Sequence, residues 1–296
     1  MGSCRTLPAV ALALTVVLPT AGAGQTTFRT IGSDVGYAVG DMAAVLASPF
    51  RAEGRDWAGA AGVIGGTVLI AVFDEQIDRW MLDHPSSALM QGIKPFREAS
   101  NNPSSDLPFR DLSTARRLIP ISGAIWLTGL ATGSEKLREA GMGCMSIWPV
   151  NSAVRYLAYA GISRRRPGTA NGDPYQIEFR RGAEWEDRAF IGGHAANITA
   201  CVSMLGNRFD MGVAEPALYV LALGISTARI ADRRHWSSDT ALGIALGWAV
   251  GKAMSDRYER REEKREGRRA ATAASHGELS TWFDGRAMNV GWRTEF

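Results

Sequence analysis

Segment after segment of this chain places apolar residues at intervals of three and four, and no stretch alternates apolar with polar residues as a half-buried strand requires. That pattern restricts the fold to packed helices. Asp34 to Ala47 reads as a helix that Pro49 ends, and Asp56 is a candidate N-cap for Trp57 to Phe73, with a polar stretch, Asp74 to Asp78, after it. Leu112 to Thr132 and Glu135 to Ile162 read as two long helices. His194 to Gly206, Val213 to Ile230 and Ser238 to Met254 read as three more. Residues 85 to 110, rich in Pro, Ser and Asn, read as a long surface connection. The expected fold class is all-α, a bundle of about six to eight helices with a site at one end.

Two of these segments raise the question of a membrane. Ala58 to Phe73 and Leu118 to Gly133 each run sixteen residues without a charge. Both fall short of the ~18 uncharged residues that argue for spanning, and the mean hydropathy is −0.08. A soluble or peripherally bound bundle is the expectation. Lys plus Arg number 33 against 30 Asp plus Glu, so the overall charge gives no signal for nucleic acid. Only Lys94, Lys136, Lys252 and Lys264 are lysines; cations here are nearly always arginines.

The ends differ from the body. Arg5, the apolar run Leu7 to Leu18 and the small residues Ala21-Gly22-Ala23 read as a leader at 1–23, which predicts export to the periplasm or a membrane surface. Cys144 and Cys201 remain after it, either as one disulfide or as two buried thiols. The helical domain is expected over 24–256. Beyond it, residues 257–296 read as a charged helix extension, with twelve charged residues of mixed sign between Asp256 and Arg269, then a linker at Ala270 to Ser275 and an aromatic tail.

Chemistry concentrates in three places. His235 and Asp239 stand four apart, which on a helix puts them on one face. There a carboxylate can fix an imidazole's tautomer, and Arg229, six residues before His235, can bring a cationic fork to an anion. Gly192-Gly193-His194 is a flexible turn into a helix, whose N–H groups can approach an oxyanion. Arg164-Arg165-Arg166-Pro167 supplies donors matched to phosphate oxygens. Each alone has an ordinary structural explanation. His84 and His276 lie in loop-like sequence and receive no role.

Together the three resemble the type 2 phosphatidic acid phosphatases, which share a site with bacterial class A acid phosphatases and vanadium haloperoxidases. That family shows Lys-x6-Arg-Pro, then Pro-Ser-Gly-His, then Ser-Arg-x5-His-x3-Asp. Arg166-Pro167, Gly193-His194 and Arg229, His235, Asp239 match in order and spacing. The resemblance implies a metal-independent phosphatase acting on phosphomonoesters, lipid phosphates among them, with no cofactor and with peripheral membrane contact. His235 would be the nucleophile that forms a phosphohistidine, and Asp239 would orient it. His194 would protonate the leaving oxygen and then activate water. Arg166, Arg229 and the Gly193 backbone would hold the phosphoryl oxygens.

The departures are specific. Tyr159 stands where the family has Lys, and Arg155, one helical turn earlier, is the candidate replacement. Gly192 stands for Ser, Ile191 for Pro and Ala228 for the Ser before Arg229. If the backbone at 192 accepts a side chain, Gly192→Ser is expected to raise catalytic efficiency. Three competing readings are a degenerate member that binds phosphate or lipid without efficient turnover, a zinc site on His194, His235 and Asp239, and a vanadate-dependent haloperoxidase. Surrounding arginines oppose the zinc site.

Overall fold

The computed structural model describes residues 21–101, 113–169, 173–179, 184–275, 278–283 and 288–293. Residues 1–20 of the expected leader lie outside these, and Ala21–Ala23 open the first helix. The order is α1 (Ala21–Leu46), α2 (Gly54–Ala71), α3 (Asp74–Asp83), α4 (Ala88–Asn101), α5 (Ala115–Thr132), α6 (Glu135–Gly161), β1 (Ile162–Arg164), β2 (Ile177–Phe179), α7 (Gly193–Arg208), α8 (Ala214–Ala231), α9 (Ser237–Ser275), β3 (Glu278–Phe283) and β4 (Met288–Arg293). The all-α expectation holds, with nine helices among the described residues.

Three local expectations are corrected. The stretch 85–110 contains α4. Its flanking Pro, Ser and Asn conceal an amphipathic segment whose Met90 and Ile93 are buried with Met81 of α3 and Ala231 of α8. Ser87 supplies the start signal, its Oγ accepting from the N–H of Met90 at 3.4 Å. The expected linker at Ala270 to Ser275 continues α9. Strands also occur: β1 pairs antiparallel with β2, and the tail folds back as the hairpin β3–β4, Leu279 opposite Trp292 and Phe283 opposite Met288.

The main core is buried among α1, α5, α6, α7 and α9, through Val45, Leu118, Ile147, Val150, Met204 and Met254. α7 and α9 pack closely because α9 offers glycines four apart. A Cβ on Gly247 would sit 2.5 Å from the Ala196 carbonyl, and Gly243 and Gly251 lie equally tight against Gly192 and Ala200. Helices that touch backbone to backbone hold the two histidine-bearing turns in fixed relation. Cys144 of α6 and Cys201 of α7 form a disulfide, which settles the pairing that the sequence leaves open. α1 is tied to α9 by Asp41, fully buried, which accepts from Arg257 at 2.5 Å and Arg261 at 2.6 Å.

α2 is the exception to this packing: none of its residues is buried. Trp57, Ile64, Val68 and Leu69 are 57–68% exposed. Among the described residues no single helix is long and apolar enough to cross a membrane; α2 and α3 reach that length together, bent by 49° at their junction.

Candidate active site

The first motif begins where α6 ends. β1 carries Arg164, and the Arg166-Pro167 turn follows. Arg166 is buried and donates to two main-chain carbonyls, Arg234 at 2.7 Å and Arg188 at 3.2 Å. Burial lowers its pKa to about 10, and the charges of Arg234 and Arg229 act in the same direction, against Tyr159. One face of the site is therefore fixed to the backbone of the third motif.

The third motif is shaped by the end of α8. Arg233 takes a left-handed conformation, φ 55°. The Arg233 N–H reaches the Ile230 carbonyl at 2.8 Å and the Arg234 N–H the Arg229 carbonyl at 3.0 Å. This is a Schellman turn. An arginine carries a cost in that conformation; here its side chain forms a two-pronged ion pair with Asp78 of α3. The turn reverses the chain so that His235 lies beside Arg229.

His235 is buried, and its Nδ1 faces the Ala189 carbonyl at 2.8 Å. A carbonyl only accepts, so Nδ1 bears the hydrogen and Nε2 keeps its lone pair. The expected partner, Asp239, is elsewhere. α9 begins at Ser237, so His235 precedes the helix and the two residues do not share its face. The Asp239 carboxylate accepts from Arg164 at 2.8 Å and caps the Trp236 N–H at 3.0 Å. A backbone carbonyl, not Asp239, sets the tautomer of His235. Burial pushes the Asp239 carboxyl up to about 7, while Arg164 and the Trp236 N–H pull it down.

The second motif opens α7. Gly192 is the N-cap and no side chain caps the helix, which leaves its first N–H groups and the positive dipole end for an anion. Half-buried His194 has Nε2 2.5 Å from a guanidinium nitrogen of Arg229. Arginine only donates, so this Nε2 accepts and the ring is neutral. Gly193 is packed against the Arg155 guanidinium: a Cβ there would lie 2.6 Å from Cζ and 2.9 Å from Nε. Arg155 thus reaches the site from the helical turn before Tyr159. Its Nε is buried without a hydrogen-bond partner among the described residues. The Tyr159 ring lies 6.0 Å from the Arg155 guanidinium and 5.9 Å from that of Arg188.

The electrostatics follow from this convergence. Removal from water lowers the pKa of His235 to about 3, with Arg166, Arg229 and Arg155 pushing the same way and the Ala189 bond opposing. His194 is held well below its usual range by desolvation, then by Arg229, His235, Arg155 and Arg166. Three guanidiniums, those of Arg155, Arg166 and Arg229, act together on two neutral imidazoles, an arrangement suited to an anion. The expected site residues His194, His235, Arg155, Arg166, Arg229 and Gly193 come together; Asp239 stands behind them. Among the described residues no three His, Cys, Asp or Glu converge as metal ligands; the Asp239 carboxylate is engaged by Arg164.

The second motif departs further than its residue types indicate. Ile191, in the place of the family's Pro, has φ 58°, a conformation closed to proline, whose φ is fixed near −65°. The loop into His194 therefore takes its own course. Gly192 has φ −63°, which any residue adopts, but a Cβ would lie 3.1 Å from the Asp239 carbonyl and the Thr240 Cα. Sequence reading also missed Arg188 and Asp74. Arg188 stands in a polar loop with nothing to single it out. Asp74 gave one faint signal, a carboxylate directly after sixteen uncharged residues.

Residues 151–263 match the family model of the PAP2 superfamily. No curated protein and no solved structure matches the chain significantly.

Proposed function

We propose, from the match of residues 151–263 to the PAP2 superfamily model, which supports membership of that superfamily and a phosphatase-type function, that this chain hydrolyses phosphomonoesters, lipid phosphates included, through a phosphohistidine on His235. The observation that carries the reading is the ring of Arg155, Arg166 and Arg229 around two neutral histidines, one of which offers Nε2 as a nucleophile. The phosphoryl group docks among the guanidiniums and the N-terminus of α7. Arg229 turns from His194 to a phosphoryl oxygen, and His194 Nε2 takes the proton that a phosphate monoanion brings. His235 Nε2 attacks phosphorus, the ester P–O bond breaks, and His194 returns its proton to the leaving oxygen. Water then attacks phosphorus while His194 accepts its proton, the P–N bond breaks, and His194 passes that proton to the departing phosphate, which leaves as the monoanion with both histidines neutral again. The arginines stabilise charge on the equatorial oxygens throughout.

Two further parts of the reading have their own support. The Cys144–Cys201 disulfide and the leader-like 1–23 favour an oxidising, exported location. The exposed apolar surface of α2, with Phe50 92% exposed just before it, favours attachment to a membrane. A panel of soluble and lipid phosphates tests the activity. Hydrolysis should resist a chelator and be inhibited by vanadate, which mimics the five-coordinate phosphoryl group. Loss of activity in chelator, restored by zinc, would refute the mechanism.

A second reading draws on Tyr159 and on Ile191 at φ 58°: a chain that binds phosphate without turnover. Tight vanadate binding with no hydrolysis across the panel would select it.

A further inference from the structure

We infer that Asp74, on α3 and outside the segment that matches the family, is a positioning residue for the nucleophilic histidine. The inference rests on the phosphatase reading. Asp74 is 1% exposed. Its two carboxylate oxygens accept from Arg164 at 2.8 Å, from the hydroxyls of Ser237 and Ser238 at 2.5 Å each, and from the Ser238 N–H at 2.9 Å. A buried carboxylate that accepts four hydrogen bonds has its acceptor sites filled by the protein itself. Its work is to hold things in place.

It holds His235 by two routes. One runs along the chain: Ser237 and Ser238 follow His235-Trp236 directly, and their bonds to Asp74 fix the first turn of α9. The other runs through Arg164. The Arg164 guanidinium bridges Asp74 and Asp239 and also donates to the Ser238 hydroxyl at 2.8 Å. The main-chain carbonyl of Arg164 accepts from the Ala189 N–H at 3.0 Å. The Ala189 carbonyl in turn accepts from His235 Nδ1. The carbonyl that sets the nucleophile's tautomer is thus anchored on the strand whose arginine Asp74 clamps. Asp74 also lies at the bend between exposed α2 and α3, so a loosely packed apolar helix ends on the clamp of the site.

The test uses the full chain with Asp74→Asn and Ser238→Ala. The second removes both bonds of the Ser238 hydroxyl without leaving a buried charge unpaired. With p-nitrophenyl phosphate, kcat should fall about 100-fold in Asp74→Asn, the scale of a displacement near 1 Å at the reacting atoms, and by a smaller factor in Ser238→Ala. The vanadate inhibition constant should stay within about threefold, because Arg155, Arg166 and Arg229 do not touch Asp74. Imidazole ¹⁵N spectra should show His235 protonated at Nδ1 in the parent and a mixture of tautomers in the variants. A kcat near the parent's in folded Asp74→Asn, or an unchanged tautomer in both variants, would overturn the inference. So would equal losses in kcat and vanadate affinity, which signal a general collapse of the site. If Asp74→Asn does not fold, Ser238→Ala decides by the same readouts. If the parent hydrolyses no phosphate ester, the phosphatase reading fails, and the ¹⁵N spectra judge Asp74 alone.

Discussion

Gly193→Ala should disable the site by displacing a residue that it does not replace. Gly193 begins α7, a helical position that alanine accepts, so the helix itself should not suffer. The new methyl, however, would lie 2.6 Å from Cζ and 2.9 Å from Nε of Arg155. Carbon contacts settle near 3.5–4.0 Å and Arg155 Nη1 lies closer still to the new methyl, so the guanidinium must retreat by at least about 1 Å. Misplacing a catalytic group by that distance costs about 10²-fold, comparable to losing one oxyanion donor at ~10²–10³-fold, or ~3–4 kcal/mol. Arg155→Ala should cost about the same. Because both changes remove one and the same cation, the double variant should be no worse than either single one, a coupling energy about as large as each single effect. The assay is kcat/KM on a soluble phosphomonoester with the vanadate inhibition constant alongside, and thermal melts to verify folding. Effects that multiply to about 10⁴-fold, or a Gly193→Ala enzyme as active as the parent, would refute the placement of Arg155 over Gly193.

Gly192→Ser, which the motif alone presents as a repair, should bring no gain in kcat/KM and should lower stability by ~1–3 kcal/mol, the usual cost of overpacking, since its Cβ would press at 3.1 Å on backbone atoms of Asp239 and Thr240; a melt and a rate measurement check both. The pH–rate profile should be that of an acid phosphatase: His194 is neutral in the empty site, so the catalytic proton enters with the phosphate monoanion, and kcat/KM should fall tenfold per unit above the substrate's second pKa, about 6. A substrate with a lower second pKa should shift the fall by the same interval. Stability should move the other way: both histidines have folded pKa values depressed below the unfolded ~6.5, so their stabilising contribution is present above that pH and is lost as pH drops toward about 3, where His235 titrates. Denaturant midpoints across pH 7 to 4 measure the slope, and vanadate should reduce it. Reducing the Cys144–Cys201 bond, 57 residues apart in sequence, should cost about 4 kcal/mol by loop entropy, read from urea unfolding with and without reductant.

Much of the fold was legible because helix period is written in residue type. Trp57 to Phe73 and Glu135 to Ile162 came within a few residues of α2 and α6. α4 was not, because the Pro, Ser and Asn at its ends outweighed the buried spacing of Met90 and Ile93. In the site, the spacing Arg229-x5-His235-x3-Asp239 located the right turn, yet suggested the wrong bond within it. The acceptor for His235 is the carbonyl of Ala189, and a main-chain carbonyl leaves no mark on residue type. The left-handed turn at Ile191 was hidden for the opposite reason, since an isoleucine advertises extended or helical backbone. Asp74 belongs to a third kind: its partners Arg164, Ser237 and Ser238 lie 90 residues or more along the chain, beyond any local pattern. Arg155, by contrast, was readable from helical spacing once Tyr159 had been set against the missing Lys.

The central claim is that His235 Nε2 carries the phosphoryl group between substrate and water. The acid-stable bond to serine and the acid-labile, alkali-stable bond to histidine are distinguishable on a denatured, rapidly quenched enzyme. With a ³²P-labelled phosphomonoester and an alkaline quench, the parent should retain label on the peptide that contains His235, released by brief acid treatment. His194→Ala should retain more of it with an activated substrate, because water is no longer deprotonated at the second step, and His235→Ala should retain none. Label on another residue, or steady hydrolysis by His235→Ala at the parent's rate, would contradict the account.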